Sequence, residues 1–331
     1  MRQAGRIAAL ALALLCLLTP ARAGQAPAAT PLPYEAPAPF AGYPEVDGQG
    51  FLREPLSKNG PAFIHADKEG GRWLYVDQSL RVEIERRMAK LRYGRVYYFI
   101  AHIRFRGELA FRGWSQSPQK PGREIAKPEQ IARQHRLVYA QNGDLYTWRV
   151  YNKKYPGIII RDGRIIHEKT YTKANVNIPP LDELSLYPDG RMAVHTPGEM
   201  TGQDYLAAGA TDVFSFGPIL IRDGVKEERT ANYSSREPRS AIGVAGPGHF
   251  VGIMVEGRNK RSGGAGLSFV ADRLLEEGCT DAFTLDGGQT AAMIFMGDIV
   301  MDPGTYNSGT KTRRQPDVVG IGVTRQRVPG K

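Results

Sequence analysis

One stretch, from Leu267 to Thr290, constrains the fold of this 331-residue chain more than any other. Leu267, Val270, Ala271, Leu274 and Leu275 recur at i, i+3, i+4, i+7 and i+8, which puts one apolar face on a helix. Gly278 stands where a helix end takes a left-handed residue. Ala282-Phe283-Thr284-Leu285 then reads as a short buried strand. Asp286 falls at the carboxyl end of that strand, followed by Gly287 and Gly288. In sheets flanked by helices that edge is where ligands bind, and side-chain-free residues let a ligand approach the backbone. Asp286 is therefore a candidate for chemistry. Asp-Gly between apolar runs is also a strong hairpin signal, and Ala291 to Met296 is strand-like. A two-residue turn would stop at Asp-Gly, whereas this loop runs on through Gln289 and Thr290. The pattern alone leaves both readings open.

The ends of the chain point to a compartment. Arg2 and Arg6 precede an apolar run from Ile7 to Leu18, and Ala21-Arg22-Ala23 offers a small-x-small cleavage site. Residues 1–23 are thus expected to be a secretory signal, too short to span a bilayer. Cys16 lacks the small residues that precede a lipoprotein cysteine. With no second apolar run, a periplasmic or secreted protein without a transmembrane segment is expected. Residues 24–48, rich in Pro and Ala with five prolines before Phe40, read as a flexible arm that cannot bury a core. Residues 49–94 read as N-terminal strands packed on a main domain spanning 95–325.

Cleavage would remove three arginines and no acid, lowering the formal charge from +10 to +7. That balance favours anionic partners such as phosphodiester-linked sugars, acidic polysaccharides or the cell wall. Nucleic acid is not expected, since no binding motif accompanies the charge. Cys279, between helix and strand, reads as a packed, inert thiol. Core packing must then hold the fold, and the chain is long enough for it.

Upstream the chain alternates. Val82 and Ile84 mark one strand. Tyr97, Phe99, Ala101, Ile103 and Phe105 mark one face of another. A short helix is expected near Pro128 to Gln134, and Leu137-Val138-Tyr139-Ala140 leads into Gln141-Asn142-Gly143-Asp144. Ile158 to Gly163 and Ile219 to Gly224 echo each other, each an apolar strand closing on Arg-Asp-Gly. Asp162 and Asp223 are accordingly read as hairpin-turn residues. The expected architecture is α/β, a single domain with a mixed β-sheet core and a few flanking helices.

Several chemistries lack their motifs. There is no Gly-x-Ser-x-Gly elbow and no phosphate loop ending in Gly-Lys-Ser/Thr. Gly246-Pro247-Gly248 links two strands and reads as a turn. His167-Glu168 begins like a zinc-protease helix, but Tyr171 occupies the fifth position. The six histidines show no metal-ligand spacing, so no metal or other cofactor is expected, although a divalent cation is not ruled out by pattern.

What remains is a set of loops at strand ends. Asn142-Gly143-Asp144, Phe216-Gly217-Pro218-Ile219-Leu220, Pro238-Arg239-Ser240-Ala241-Ile242-Gly243, Val255-Glu256-Gly257-Arg258, Ser262-Gly263-Gly264 and Leu285-Asp286-Gly287-Gly288 follow one another in order. In that order they resemble the phosphodiester glycosidase domain, over about Arg95 to Val323. The domain also occurs in the enzyme that uncovers mannose phosphate on lysosomal proteins and in bacterial exopolysaccharide-related proteins. One departure stands out. The family continues Asp-Gly-Gly-Gly-Ser-Ser-Thr-Met, whereas this chain reads Asp-Gly-Gly-Gln-Thr-Ala-Ala-Met. Thr290 can replace a serine hydroxyl, but Gln289 puts a side chain where the family has none.

The resemblance implies hydrolysis of a sugar-1-phosphodiester at the anomeric carbon–oxygen bond. Ordinary glycosidases use two carboxyls, one of them protonating a poor leaving group. Phosphate leaves more readily, its second pKa lying near 6, and needs positive donors more than a strong acid. Asp286 is then the expected nucleophile or base, with Asn142 and Asp144 orienting sugar or water. Arg239 offers a planar fork for phosphate oxygens and Arg314 a second contact, while Gly287, Gly288, Gln289 and Thr290 line the pocket. A salt bridge from Arg239 to Glu237 is the structural alternative. A non-catalytic glycan-binding or envelope-assembly factor is the functional alternative, favoured by Gln289 and Ala291.

Overall fold

The computed structural model describes residues 42–56, 60–143, 150, 156–170, 180–303 and 312–328. The expected signal segment and most of the arm lie outside these residues. Four strands open the fold as a meander: β1 (Phe63–Asp67), β2 (Arg72–Val76), β3 (Leu80–Leu91) and β4 (Gly94–Phe105). Then come β5 (Arg112–Ser115), α1 (Pro128–Gln134) and β6 (Leu137–Asn142). The hairpin β7 (Gly157–Arg161) and β8 (Arg164–Lys169) precedes β9 (Asp182–Leu186), β10 (Met192–His195), α2 (Gly202–Ala207) and β11 (Asp212–Phe216). Next are β12 (Ile219–Arg222), β13 (Val225–Lys226), β14 (Arg239–Gly246) and β15 (His249–Val255). The chain closes with α3 (Leu267–Glu276), β16 (Asp281–Leu285), β17 (Met293–Phe295), β18 (Asp298–Ile299) and β19 (Asp317–Val323).

Among the described residues these strands form three sheets. The largest runs β1-β2-β3-β4-β15-β14-β16-β12-β13, and two five-stranded sheets run β10-β9-β11-β7-β8 and β18-β17-β6-β19-β5. A sheet core with few helices is what the sequence led us to expect. The ladders are antiparallel, which short strands and tight turns favour.

Hydrophobic patterning decides the layers. One face of the large sheet, with Val82, Phe99, Ile103, Ile242 and Phe283, packs on Val138, Leu184, Phe214 and Val319 from the smaller sheets. Its other face, with Ile100, Val251 and Ile253, is covered by α3 through Leu267, Val270, Ala271 and Leu274. Each fully buried side chain of Leu or Val size stabilises by about 1.5–3 kcal/mol, so this stripe fixes α3 in place. Helices α1 and α2 cap the outer faces of the smaller sheets in the same way. Cys279 is buried beneath α3, where burial pushes its thiol well above the ordinary value. It is the inert packing residue expected from sequence.

Candidate functional site

Antiparallel pairing creates the site. Strand β14 lies between β15 and β16, and its last pair with β16 joins Ser240 to Leu285. The first residue of β14, Arg239, therefore sits beside the residue that follows β16, Asp286. On its other side Arg239 pairs with Val255, the last residue of β15. That register delivers Glu256-Gly257-Arg258 to the same edge. Segments separated along the chain meet because adjacent strands run in opposite directions.

The loop after β16 is clamped from behind. The Asn142 Nδ2 group donates to the Asp286 carbonyl at 2.8 Å and to the Gly143 carbonyl at 2.8 Å. Its Oδ1 accepts from the Ala292 amide at 3.1 Å, so one buried side chain holds both ends of the Asp286–Ala292 loop. The neighbouring Gln141 ties β6 to the large sheet. Its Nε2 donates to Ser240 Oγ and to the Ala241 and Ile253 carbonyls at 3.0–3.3 Å. Gly287 is required by close approach, because a Cβ there would lie 2.7 Å from the Pro238 carbonyl oxygen. Gly288 takes φ +60° and its amide donates to that same carbonyl at 2.9 Å. It opens a 3-10 turn, Gly288–Thr290.

Around this loop lies a cavity of about 420 Å³, lined by Phe216, Glu237, Arg239, Arg258, Asp286, Gly287, Gly288, Gln289 and Arg313. Three guanidinium groups face two carboxylates there, so the lining favours a bound anion. Arg239 is held firmly: Nε donates to the Ala265 carbonyl at 3.1 Å, and Nη2 to the Ser235 carbonyl and hydroxyl at 2.9 and 3.0 Å. No described residue takes its Nη1 group. Burial pushes the Arg239 guanidinium below its ordinary value; Glu237 opposes that shift and Arg258 adds to it. Arg258 Nε pairs with Glu237 at 2.5 Å, and its guanidinium lies over Gly288. Arg313 reaches Gln289 Oε1 at 3.4 Å and Thr290 Oγ1 at 3.5 Å.

The sequence pattern of the phosphodiester glycosidase family matches residues 135–322, more than half of the chain. The chain belongs to the phosphodiester glycosidase family. The catalytic domain of zebrafish N-acetylglucosamine-1-phosphodiester alpha-N-acetylglucosaminidase, auto-inhibited by its pro-peptide, shares the fold. That likeness has a TM-score of 0.58 and 18% identity, over 82% of this chain and 92% of that one. A hypothetical protein from Synechocystis is also similar, with a TM-score of 0.51 and 13% identity over 75% of this chain and 63% of that one. Among curated proteins, the SPbeta prophage-derived uncharacterized protein YomE of Bacillus subtilis (strain 168) is 33% identical over 164 residues. Those residues are 48% of this chain and 24% of that protein, so the chain matches about a quarter of its length.

Within this phosphodiester glycosidase fold the expected site residues have different fates. Asp286, Arg239, Gly287, Gly288 and Gln289 line one cavity. Asn142 and Thr290 are fully buried and support the loop from behind; neither lines the cavity. Asp144 lies outside the described residues. Arg314 needs correction: it is exposed and its Nη2 donates to the Ile125 carbonyl at 3.0 Å. Successive residues of an extended segment point to opposite sides, so Arg313 enters the cavity when Arg314 turns away. The structural alternative for Arg239, a salt bridge to Glu237, is not formed among the described residues; Glu237 pairs with Arg258.

Sequence reasoning did not single out Phe216, Glu237, Arg258 and Arg313 as lining residues. Phe216 and Arg258 lay inside quoted motifs, which was the available signal. Glu256, in the same motif as Arg258, is a structural anchor. It is fully buried, its carboxylate accepts from the Arg261 guanidinium, and it also accepts from the Asp302 amide at 2.8 Å. Among the described residues no group of three or more His, Cys, Asp or Glu side chains is arranged to hold a metal ion. A strongly perturbed carboxyl lies elsewhere: burial pushes Glu183, in β9, up to about 8.

Proposed function

We propose that this chain hydrolyses a sugar-1-phosphodiester at the anomeric carbon–oxygen bond, releasing free sugar and a phosphomonoester. The observation that carries this reading is the meeting of Asp286 with Arg239, Arg258 and Arg313 around one cavity. Arg239 is the anchor for the phosphate. Three of its donors are fixed to the protein, which leaves the Nη1 pair aimed by a rigid frame. Charge building on the departing phosphate is met by guanidinium groups already in place, so no reorganisation is needed at the moment of reaction. Asp286 acts from the other side of the reacting carbon. It either attacks C1 itself, forming a glycosyl ester that water then hydrolyses to free sugar and the regenerated carboxylate, or takes a proton from the water that attacks C1 directly. The C1–O bond breaks, and the bridging oxygen leaves with phosphate. Phe216 supplies an apolar wall for the sugar ring.

The proposal includes export, from the basic and apolar residues at the start of the chain, and a glycan substrate outside the cytoplasm. The decisive experiment incubates the protein with a panel of sugar-1-phosphodiesters and measures release of reducing sugar. Turnover that is lost in Asp286→Asn supports the reading. A second reading, a glycan-binding or assembly factor on the same fold, is favoured by Gln289. Its side chain occupies cavity wall and engages Arg313. Binding of glycan phosphodiesters without cleavage by the parent protein would select it.

A further inference from the structure

A larger cavity lies at the opposite end of β6. This groove, about 520 Å³, is lined by Ala132, Leu137, Met296 and Val328 at its base and by Arg133, Arg136, Arg325 and Arg327 around them. Asp298 is the sole acid among the lining residues, so the groove carries three more positive than negative charges. It shares no residue with the cavity around Asp286. Strand β6 links the two, Leu137 at the groove and Asn142 behind Asp286. At about 3.3 Å per residue that separation is roughly 17 Å.

The outer wall is built deliberately. After β19 the chain continues extended, and the Thr324 amide donates to the Arg136 carbonyl at 2.9 Å. Gln326 then grips the Ala62 backbone twice, accepting from its amide at 3.2 Å and donating to its carbonyl at 2.8 Å. Val328 packs on the main core. With 326 and 328 anchored inward, the alternation of an extended chain turns Arg325 and Arg327 outward, and both are exposed. Arg136 faces them across the groove, held by a left-handed backbone at φ +55°. Among the described residues Arg136, Arg325 and Arg327 have no side-chain partner, and Arg133 pairs only with Asp298, at 3.0 Å and exposed.

We infer that this groove is a second binding site, which holds the anionic backbone of a phosphodiester-linked glycan while the Asp286 cavity takes one linkage. Guanidinium forks on both walls suit repeated phosphate oxygens along a strand. No aromatic side chain lines the groove, so it lacks the stacking platform that single-stranded nucleic acid uses. Its apolar residues are recessed at the base and not raised, which is the wrong shape for insertion into a bilayer. The choice of polymer rests on the glycosidase reading; the groove itself does not.

The test measures binding of a phosphodiester-linked glycan polymer to the parent protein and to an Arg325→Glu, Arg327→Glu double variant, at several ionic strengths. Both side chains are exposed and unpartnered, so the variant should melt as the parent does. Polymer binding should weaken at least about fivefold and lose much of its salt dependence, since screened surface charge is what is being removed. Hydrolysis of a small soluble sugar-1-phosphodiester should not change. Equal polymer affinity in parent and variant overturns the inference. So does tighter binding of polygalacturonate, polyadenylate or anionic phospholipid vesicles than of the glycan. Asp286→Asn, run alongside, separates the two claims. Polymer bound through the groove by a parent that cleaves nothing supports the groove and removes the glycosidase reading.

Discussion

Asp286-Gly287 and the pairs Asp162-Gly163 and Asp223-Gly224 share a dipeptide and part company in three dimensions. Asp162 and Asp223 both have φ +52°, and the glycines after them +67° and +76°. Two successive positive φ values reverse the chain in the fewest residues, closing β7 on β8 and β12 on β13. Their carboxylates are exposed; Asp162 only touches Arg112 at 3.4 Å. After Asp286 the chain does not reverse. Gly287 is extended at φ −101°, ψ −157°, and the backbone passes over Pro238 into a 3-10 turn. A turn directs its acid to solvent, whereas this open loop directs it into a cavity with three arginines. The dipeptide is ambiguous, and the partners of the flanking strands decide it.

The largest expected effect breaks or sustains that contrast directly. Asp286→Asn should reduce sugar-1-phosphodiester turnover by about a hundredfold or more, as removal of a positioned acid–base group does. Asp162→Asn and Asp223→Asn should leave turnover alone and move stability by no more than about 0.5 kcal/mol. Equal kinetics across all three variants would remove Asp286 from the chemistry.

The glycines sharpen the same point through sterics. Gly287→Ala should cost about 1–3 kcal/mol and lower turnover as well, because its Cβ collides with the Pro238 carbonyl. Gly163→Ala meets nothing within 4 Å, so only its left-handed φ is strained, at about 1 kcal/mol. Denaturant melts paired with initial rates would separate a loss of fold from a loss of site. Arg239→Lys keeps the charge but loses the two-pronged geometry. We expect KM for the phosphodiester to rise about tenfold while some turnover persists.

Glu183 extends the comparison to an acid inside a sheet. Burial holds its carboxyl near 8, with Asp182 and Glu199 acting in the same direction against the Thr170 hydroxyl. A raised acid favours the folded state while protonated. Its stabilisation is complete below the unfolded value of 4.5 and lost as pH rises toward about 8. Glu183→Gln should therefore gain stability relative to the parent across that window, as melting curves against pH would show. A constant difference between the two curves would refute the assignment. The smallest effect concerns Gln289. Replacing it with Gly removes one wall of the cavity and one contact of Arg313, so activity on a bulky sugar-1-phosphodiester should rise a few-fold. No change across a substrate panel would make Gln289 a neutral substitution.

Elements with local causes were legible from the residues alone. The apolar stripe of α3, the left-handed Gly278 at φ +80°, strand β16, the helix at Pro128–Gln134 and both Arg-Asp-Gly hairpins stand where periodicity and turn chemistry put them. The order of the motifs likewise pointed to the family. Only the tertiary structure decided which residues share a surface. Arg239 and Asp286 meet through a register between strands distant in sequence, and Asn142 clamps the loop from behind because β6 passes beneath it. Arg313 displaces Arg314 because one step along an extended chain exchanges the two sides, and composition is blind to that step. Periodicity reports which face of an element is buried. Which other element buries it is set by the packing of the whole chain, and the geometry of the site comes from that packing.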